Sequence, residues 1–234
     1  MLDKAVEALK SFDWGKSFND LQPITDAVVA THGDAAARKK LEDQLAAALK
    51  SDVSRSSKDF ICRQLMVVGT SSCVPALAAL LPNKDLSHMA RYALERIPGP
   101  EAEKALREAL PKVEGSLKAG VINSLGVRRD AQSTALLAAL LRDSAPEVAA
   151  AAAAALGRIG DSEAAKALKN FQKKAPKELR LAAADAWLAC AERLLAAGNT
   201  DQATAIFKAL DSPKQPQHVR LAATRGIAAA AGKG

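Results

Sequence analysis

Residues 145–168 read Ala-Pro-Glu-Val-Ala-Ala-Ala-Ala-Ala-Ala-Ala-Leu-Gly-Arg-Ile-Gly-Asp-Ser-Glu-Ala-Ala-Lys-Ala-Leu. An apolar run closing on Leu156, a breaker at Ile159-Gly160-Asp161-Ser162 and a second apolar pattern spell helix, tight turn, helix. Glycine takes the left-handed conformation that ends a helix, and Asp or Ser caps the next one. Working outward, Leu156 is the last of Leu65, Leu94, Leu125 and Leu156, which lie 29, 31 and 31 residues apart. A second series, Leu77, Leu106, Leu137 and Leu168, lies twelve residues on, and Leu81, Leu110 and Leu141 keep the same offsets. Breakers recur between them at Val68-Gly69-Thr70, Ile97-Pro98-Gly99-Pro100 and Val127-Arg128-Arg129-Asp130. The unit is a helix pair of roughly 30 residues, which cannot bury its apolar face alone and must stack on its neighbours.

On these residues the stretch 145–168 resembles the HEAT-repeat family, in particular the short bacterial type also found in phycobilin-lyase subunits. The resemblance is strongest over 57–175 and implies a right-handed, all-α solenoid of stacked helix pairs. Three parts are expected within one continuous domain: a divergent helical cap at 1–56, HEAT-like repeats at 57–176, and a lengthened repeat with a terminal half-repeat at 177–234. The cap reads as helices at 2–10, 18–31 and 34–50, with Asp13-Trp14-Gly15 as a turn. Residues 197–210 are more similar to a tetratricopeptide helix. Val219 to Ile227 repeat the start of Val148 to Leu156 with no second helix after them, so that helix either caps the array or belongs to a longer protein.

Composition fits this reading. The 234 residues are 49% hydrophobic and 25% charged but only 3% aromatic, an alanine- and leucine-built helical chain rather than a disordered one. No stretch reaches the roughly 18 uncharged apolar residues of a membrane span. The acidic N-terminus, Met-Leu-Asp-Lys-Ala-Val-Glu, does not look like an export signal, which makes a soluble, cytoplasmic protein the default expectation. Cys62, Cys73 and Cys190 form no CxxC pair and read as small core residues. Residues 1–110 balance 15 basic against 15 acidic groups, so the whole net charge of +7 falls on residues 111–234.

Chemistry is hard to find in the sequence. HEAT-like di-iron hydroxylases need paired His-Glu motifs, whereas His32, His88 and His218 lie far apart and none precedes a Glu. No phosphate-cradling or nucleophile-elbow glycine motif occurs. Cys62 and His88 fall in adjacent first helices, the one pairing with the elements of a thiol nucleophile. The chain is therefore expected not to be an enzyme, and no metal or cofactor is expected. Base readout of nucleic acid needs aromatic platforms, and those of the basic half, Phe171, Trp187 and Phe207, sit at core-type positions.

The resemblance implies that second helices line a concave face where partners bind. The register puts Pro75, Ala78 and Ala79 on that face, then Lys104, Arg107 and Glu108. Ala135, Ala138 and Ala139 follow, and finally Lys166, Lys169, Asn170 and Lys173. Bare alanines admit a partner backbone or helix, and flanking cations hold acidic groups on it. Arg128 stands where Val68, Ile97 and Ile159 stand in other repeats. Either Val127 fills that pocket in a remodelled turn, or a carboxylate holds the guanidinium and Arg128 with Arg129 forms a local anion or partner site. Tyr92 corresponds to Arg63 and Asn123, a polar series along inter-repeat contacts. The expected function is non-catalytic protein binding or scaffolding toward an acidic or helical partner. A phycobilin-lyase-like tetrapyrrole chaperone is the alternative, and phosphate-backbone nucleic-acid binding the third reading.

Overall fold

The computed structural model describes residues 2–232. Among them are fourteen α-helices, short 3-10 turns and no strand. The chain is all-α, a solenoid-type succession of helix pairs, and it divides into two compact units, Met1–Leu117 and Lys118–Gly234. The Leu65 and Leu77 series supplies the cores, each of its members being buried.

The first unit holds α1 (Leu2–Ala8), α2 (Gln22–Ala30), α3 (Ala35–Lys50), α4 (Arg55–Val68), α5 (Val74–Ala78), α6 (Ser87–Leu94) and α7 (Pro100–Ala109). First helices α2, α4 and α6 pack in one layer and α3, α5 and α7 in another. Asp34 caps α3 by accepting from the Ala37 N–H at 2.9 Å, and Ser54 caps α4 through the Ser57 N–H at 3.0 Å. Each such cap is worth about 1 kcal/mol. The Ser54 and Ser57 hydroxyls also donate to the Phe12 and Leu9 carbonyls at 2.6 and 2.7 Å, which fixes the segment after α1 against α4.

Two residues of α3, one turn apart, clasp the α4–α5 turn. Arg38 donates to the Val68 and Val67 carbonyls, both at 2.8 Å, at the negative end of α4. Glu42, fully buried, accepts from the Thr70 and Cys73 N–H groups at 2.8 and 3.1 Å, and from the Thr70 hydroxyl, at the positive entry to α5. Each charge meets the helix end of opposite partial charge, so the pair i, i+4 on one helix orders the next repeat's turn.

The second unit comprises most of α8 (Gly115–Arg128), then α9 (Thr134–Leu140), α10 (Pro146–Ile159), α11 (Ser162–Lys174), α12 (Arg180–Ala196), α13 (Thr200–Leu210) and α14 (Gln217–Ala231). First helices α10, α12 and α14 pack in sequence, and second helices α9 and α11 pack on each other. Gly126 and Gly157 set the spacing of the first layer. A Cβ on Gly126 would lie 2.7 Å from the Ala155 Cα, and one on Gly157 would lie 2.6 Å from the Ala186 carbonyl oxygen. Gly160 ends α10 at φ +66°, and Asp161 caps α11 through the Ala164 N–H at 2.6 Å. Thr134, at the start of α9, donates to the other Asp161 oxygen at 2.7 Å, so one cap also ties neighbouring second helices.

Candidate binding faces

In α11 the residues Ala164, Ala165, Leu168 and Phe171 are buried, so the 3–4 spacing turns Lys166, Lys169, Asn170 and Lys173 outward, and all four are exposed. Lys166 is paired with Glu163 at 2.7 Å, but both side chains are well exposed and such a pair adds little, while Lys169 and Lys173 extend the positive stripe. Beside it α9 exposes Ala135 and Ala139 with Ala138 half-buried. This second-helix layer is thus a shallow alanine strip bordered by lysines, and its continuation, Lys174, Lys177 and Arg180, is exposed as well.

In the first unit, Pro75 on α5 and Ala79 just past its end are exposed, with Ala78 half-buried. Lys104 on α7 is exposed at 3.9 Å from Glu108, and Arg107 is half-buried. Tyr92 sits on α6, in the other layer, so the structure separates it from Lys104 and Arg107. It is 43% exposed and lines a cavity of about 180 Å³ with Arg63, His88 and Cys62, so the Arg63 and Tyr92 positions do meet. Asn123 belongs to the second unit and lines a different hollow.

Val127 does not fill the pocket left at Arg128: it is 45% exposed, while Arg128 is half-buried with its Nε out of reach of solvent. Arg129 takes the left-handed conformation at φ +55°, the role Gly160 plays one repeat later. A side chain in that region costs roughly 1–2 kcal/mol. Arg129 is exposed, and Asp130 behind it is buried, capping the next turn through the Gln132 N–H at 3.2 Å and the Ser133 hydroxyl at 2.5 Å.

All three cysteines are free and buried. Burial pushes each thiol up to about 12, with Asp59 beside Cys62, Glu42 beside Cys73 and Asp161 beside Cys190 adding to the effect. Cys62 and His88 line the same small cavity, yet a thiol held protonated is the reverse of an activated nucleophile. Among the described residues no group of three or more His, Cys, Asp or Glu is placed to hold a metal ion. None of the described helices is long and apolar enough to cross a membrane.

Sequence reasoning missed the other layer of the first unit. Phe12, Phe18 and Phe60 form a tilted stack with ring centroids 5.0 and 6.2 Å apart. They and Trp14 line a cavity of about 650 Å³ in which Trp14 is 92% and Phe18 60% exposed. The sequence carries the signal, since Phe12, Trp14 and Phe18 fall within seven residues of an otherwise aromatic-poor chain, but it lies outside the basic half to which charge points.

Against known proteins, the HEAT-repeat family model matches residues 113–189. That stretch is HEAT repeat. The matched HEAT residues carry α8 to α10, the Gly126–Ala155 and Gly157–Ala186 contacts and the lysines of α11. No curated protein matches the chain. The structure of human deoxyhypusine hydroxylase in complex with glycerol is similar over 99% of this chain and 96% of that chain, at a TM-score of 0.37 and 13% sequence identity. The expectation that this chain is not an enzyme is corrected by that finding. A similarity this weak confers no activity on the chain.

Proposed function

We propose that this helical-repeat scaffold binds a protein partner on the second-helix layer of its second unit, with Lys166, Lys169 and Lys173 pairing acidic side chains of a helix or strand laid over Ala135 and Ala139. The observation that supports this reading is the coincidence of a close-approach strip and a one-sided row of exposed cations on two packed helices. Carboxylates on a partner steer its encounter and set its register, while the alanines let its backbone come near. Asn170 is a hydrogen-bonding group within the same row. Arg128, which ends α8, and Arg129 are secondary contacts in this proposal, while Lys104 and Arg107 on α7 and Tyr92 on α6 are separate candidate contacts of the first unit. The division into a cap at 1–56, repeats at 57–176 and a lengthened end at 177–234 is likewise proposed.

The test is affinity capture from lysate of the source organism with the wild type and with Lys166, Lys169 and Lys173 changed together to Glu. These side chains are exposed, so the variant keeps its fold. A partner retained by the first and lost by the second is the expected result. A partner held equally by both removes the lysine row from the site, and Arg128 and Tyr92 are tested next. A complex whose salt dependence follows released counterions and that nuclease treatment abolishes would replace the protein partner by nucleic acid.

A further inference from the structure

Five of the chain's eight aromatic residues line two cavities on the first unit that share Asp59 and Arg63, whereas Phe171, Trp187 and Phe207 are buried in the second unit. The larger cavity, about 650 Å³, is walled by the Phe12–Phe18–Phe60 stack and by the exposed Trp14. Isolated apolar residues on a surface are ordinary, but a contiguous aromatic patch rimmed by charge marks an interaction site, and Trp and Arg dominate the energetics of such sites. The rim carries both signs of charge, Lys16, Arg55 and Arg63 against Asp13 and Asp59. Its two carboxylates are already engaged: Asp13 accepts from the Trp14 N–H at 2.8 Å and the Ser56 hydroxyl at 3.1 Å, and Asp59 accepts from Arg63 at 3.0 Å. Lys16 and Arg55 stand exposed beside them; Lys16 donates to the Ser11 carbonyl and acts electrostatically on the already engaged Asp13.

We propose that this aromatic groove on the first unit binds a linear acidic segment of a protein partner, an aromatic or large aliphatic side chain entering between Trp14, Phe18 and Phe60 while flanking carboxylates pair with Lys16 and Arg55. A nucleic-acid strand fits less well, because a polyphosphate needs an unbroken row of cations and here Asp13 and Asp59 interrupt it. The groove lies in a different unit and layer from the α9–α11 face, so the two proposals fail independently.

The structure supplies its own reporter. Of the two tryptophans, Trp14 is 92% exposed and Trp187 only 7%, so iodide quenching of the full-length protein reads Trp14. A displayed library of random 12-residue peptides, selected against the full chain, is expected to enrich sequences with an aromatic or aliphatic anchor next to Asp or Glu. A synthetic copy of the enriched peptide should shield Trp14 from iodide. It should lose at least tenfold in affinity, by fluorescence anisotropy, against Arg55→Glu and against Phe18→Ala, both exposed positions, of which Arg55→Glu leaves the Phe12–Phe18–Phe60 stack untouched. The Lys166, Lys169, Lys173 triple-Glu variant should bind it unchanged. No enrichment over blank, enriched peptides without acidic residues, or indifference to Arg55→Glu overturns the proposal. So does self-association of the chain, or binding of an oligothymidine, that Arg55→Glu abolishes, since the occupant is then a second copy or a nucleic-acid strand.

Discussion

The second unit brings its first helices together over glycine and alanine, and the first unit fills the same kind of space with large or charged side chains. Gly126 and Gly157, each one residue past a Leu of the repeat, press on Ala155 and Ala186. The corresponding residues of the first unit are Met66 and Glu95, both half-buried. Close helix approach costs side-chain volume, so the second unit is alanine-rich, regular and plain on its surface except for lysines. Where side chains do the filling, as in the first unit, the repeat is less regular. Both units bury polar groups, Glu42, Ser57 and Ser87 in the first and Ser124, Asp130 and Ser133 in the second, but in the first unit aromatics collect where the segment between α1 and α2 meets α4.

The largest expected effect breaks the glycine contact. Gly157→Val drives a branched side chain into Ala186 and should destabilise the protein by about 3 kcal/mol, while Met66→Leu at the corresponding place in the first unit should stay under about 1.5 kcal/mol. Gly157→Ala is the sharper version. Alanine is better than glycine inside a helix by about 1 kcal/mol, so net destabilisation means the contact outweighs propensity. Urea midpoints decide: a wild-type midpoint for Gly157→Val means the helices simply shift, and the contrast between the units falls.

Next in size is the clasp that Arg38 and Glu42 make in the first unit. Glu42→Ala leaves the Thr70 N–H without its acceptor and the Cys73 N–H with only the Thr70 carbonyl at 3.3 Å, and should cost about 2–3 kcal/mol, with Glu42→Gln retaining part of it. Equal midpoints for Glu42→Ala and wild type would show that water replaces the carboxylate.

The smallest effect is a pH dependence spread over both units. Folded Cys62, Cys73 and Cys190 keep their protons up to about 12, and the unfolded chain begins to lose them near 9.0. A folded pKa raised above the unfolded one means stability that is full below the unfolded value and declines as pH rises from there. At pH 9 the loss is about 0.4 kcal/mol for each thiol. Urea midpoints at pH 7 and 9 should therefore differ more for the wild type than for a variant with all three cysteines changed to Ala. Identical pH responses would mean that burial does not hold these thiols protonated.

Much of this was legible in the sequence because repetition multiplies weak signals. Two leucine series in one register located helices and breakers from Arg55 to Lys174, and the same register turned Lys166, Lys169 and Lys173 outward as found. The N-terminal helices at 2–10, 18–31 and 34–50 correspond to α1, a 3-10 turn leading into α2, and α3. What periodicity cannot carry is contact between residues outside the repeat. The Arg38 and Glu42 clasp joins positions 28–31 residues apart through side chains with no counterpart to compare. The Phe12, Phe18 and Phe60 stack depends on a loop whose path no repeat predicts. At Arg128 and Arg129 the register identified an anomaly, but only the backbone reveals that an arginine occupies the left-handed position.

The claim that the second-helix layer of the second unit is the binding face is tested most directly by site-specific photo-crosslinking. A photoreactive residue replaces Lys169 on α11 in one variant and Ala182 on α12, which lines the first-layer hollow, in another. Each is irradiated with the captured partner. Crosslinks from position 169 that are absent from position 182 are the predicted result, and crosslinks from 182 without any from 169 would contradict it.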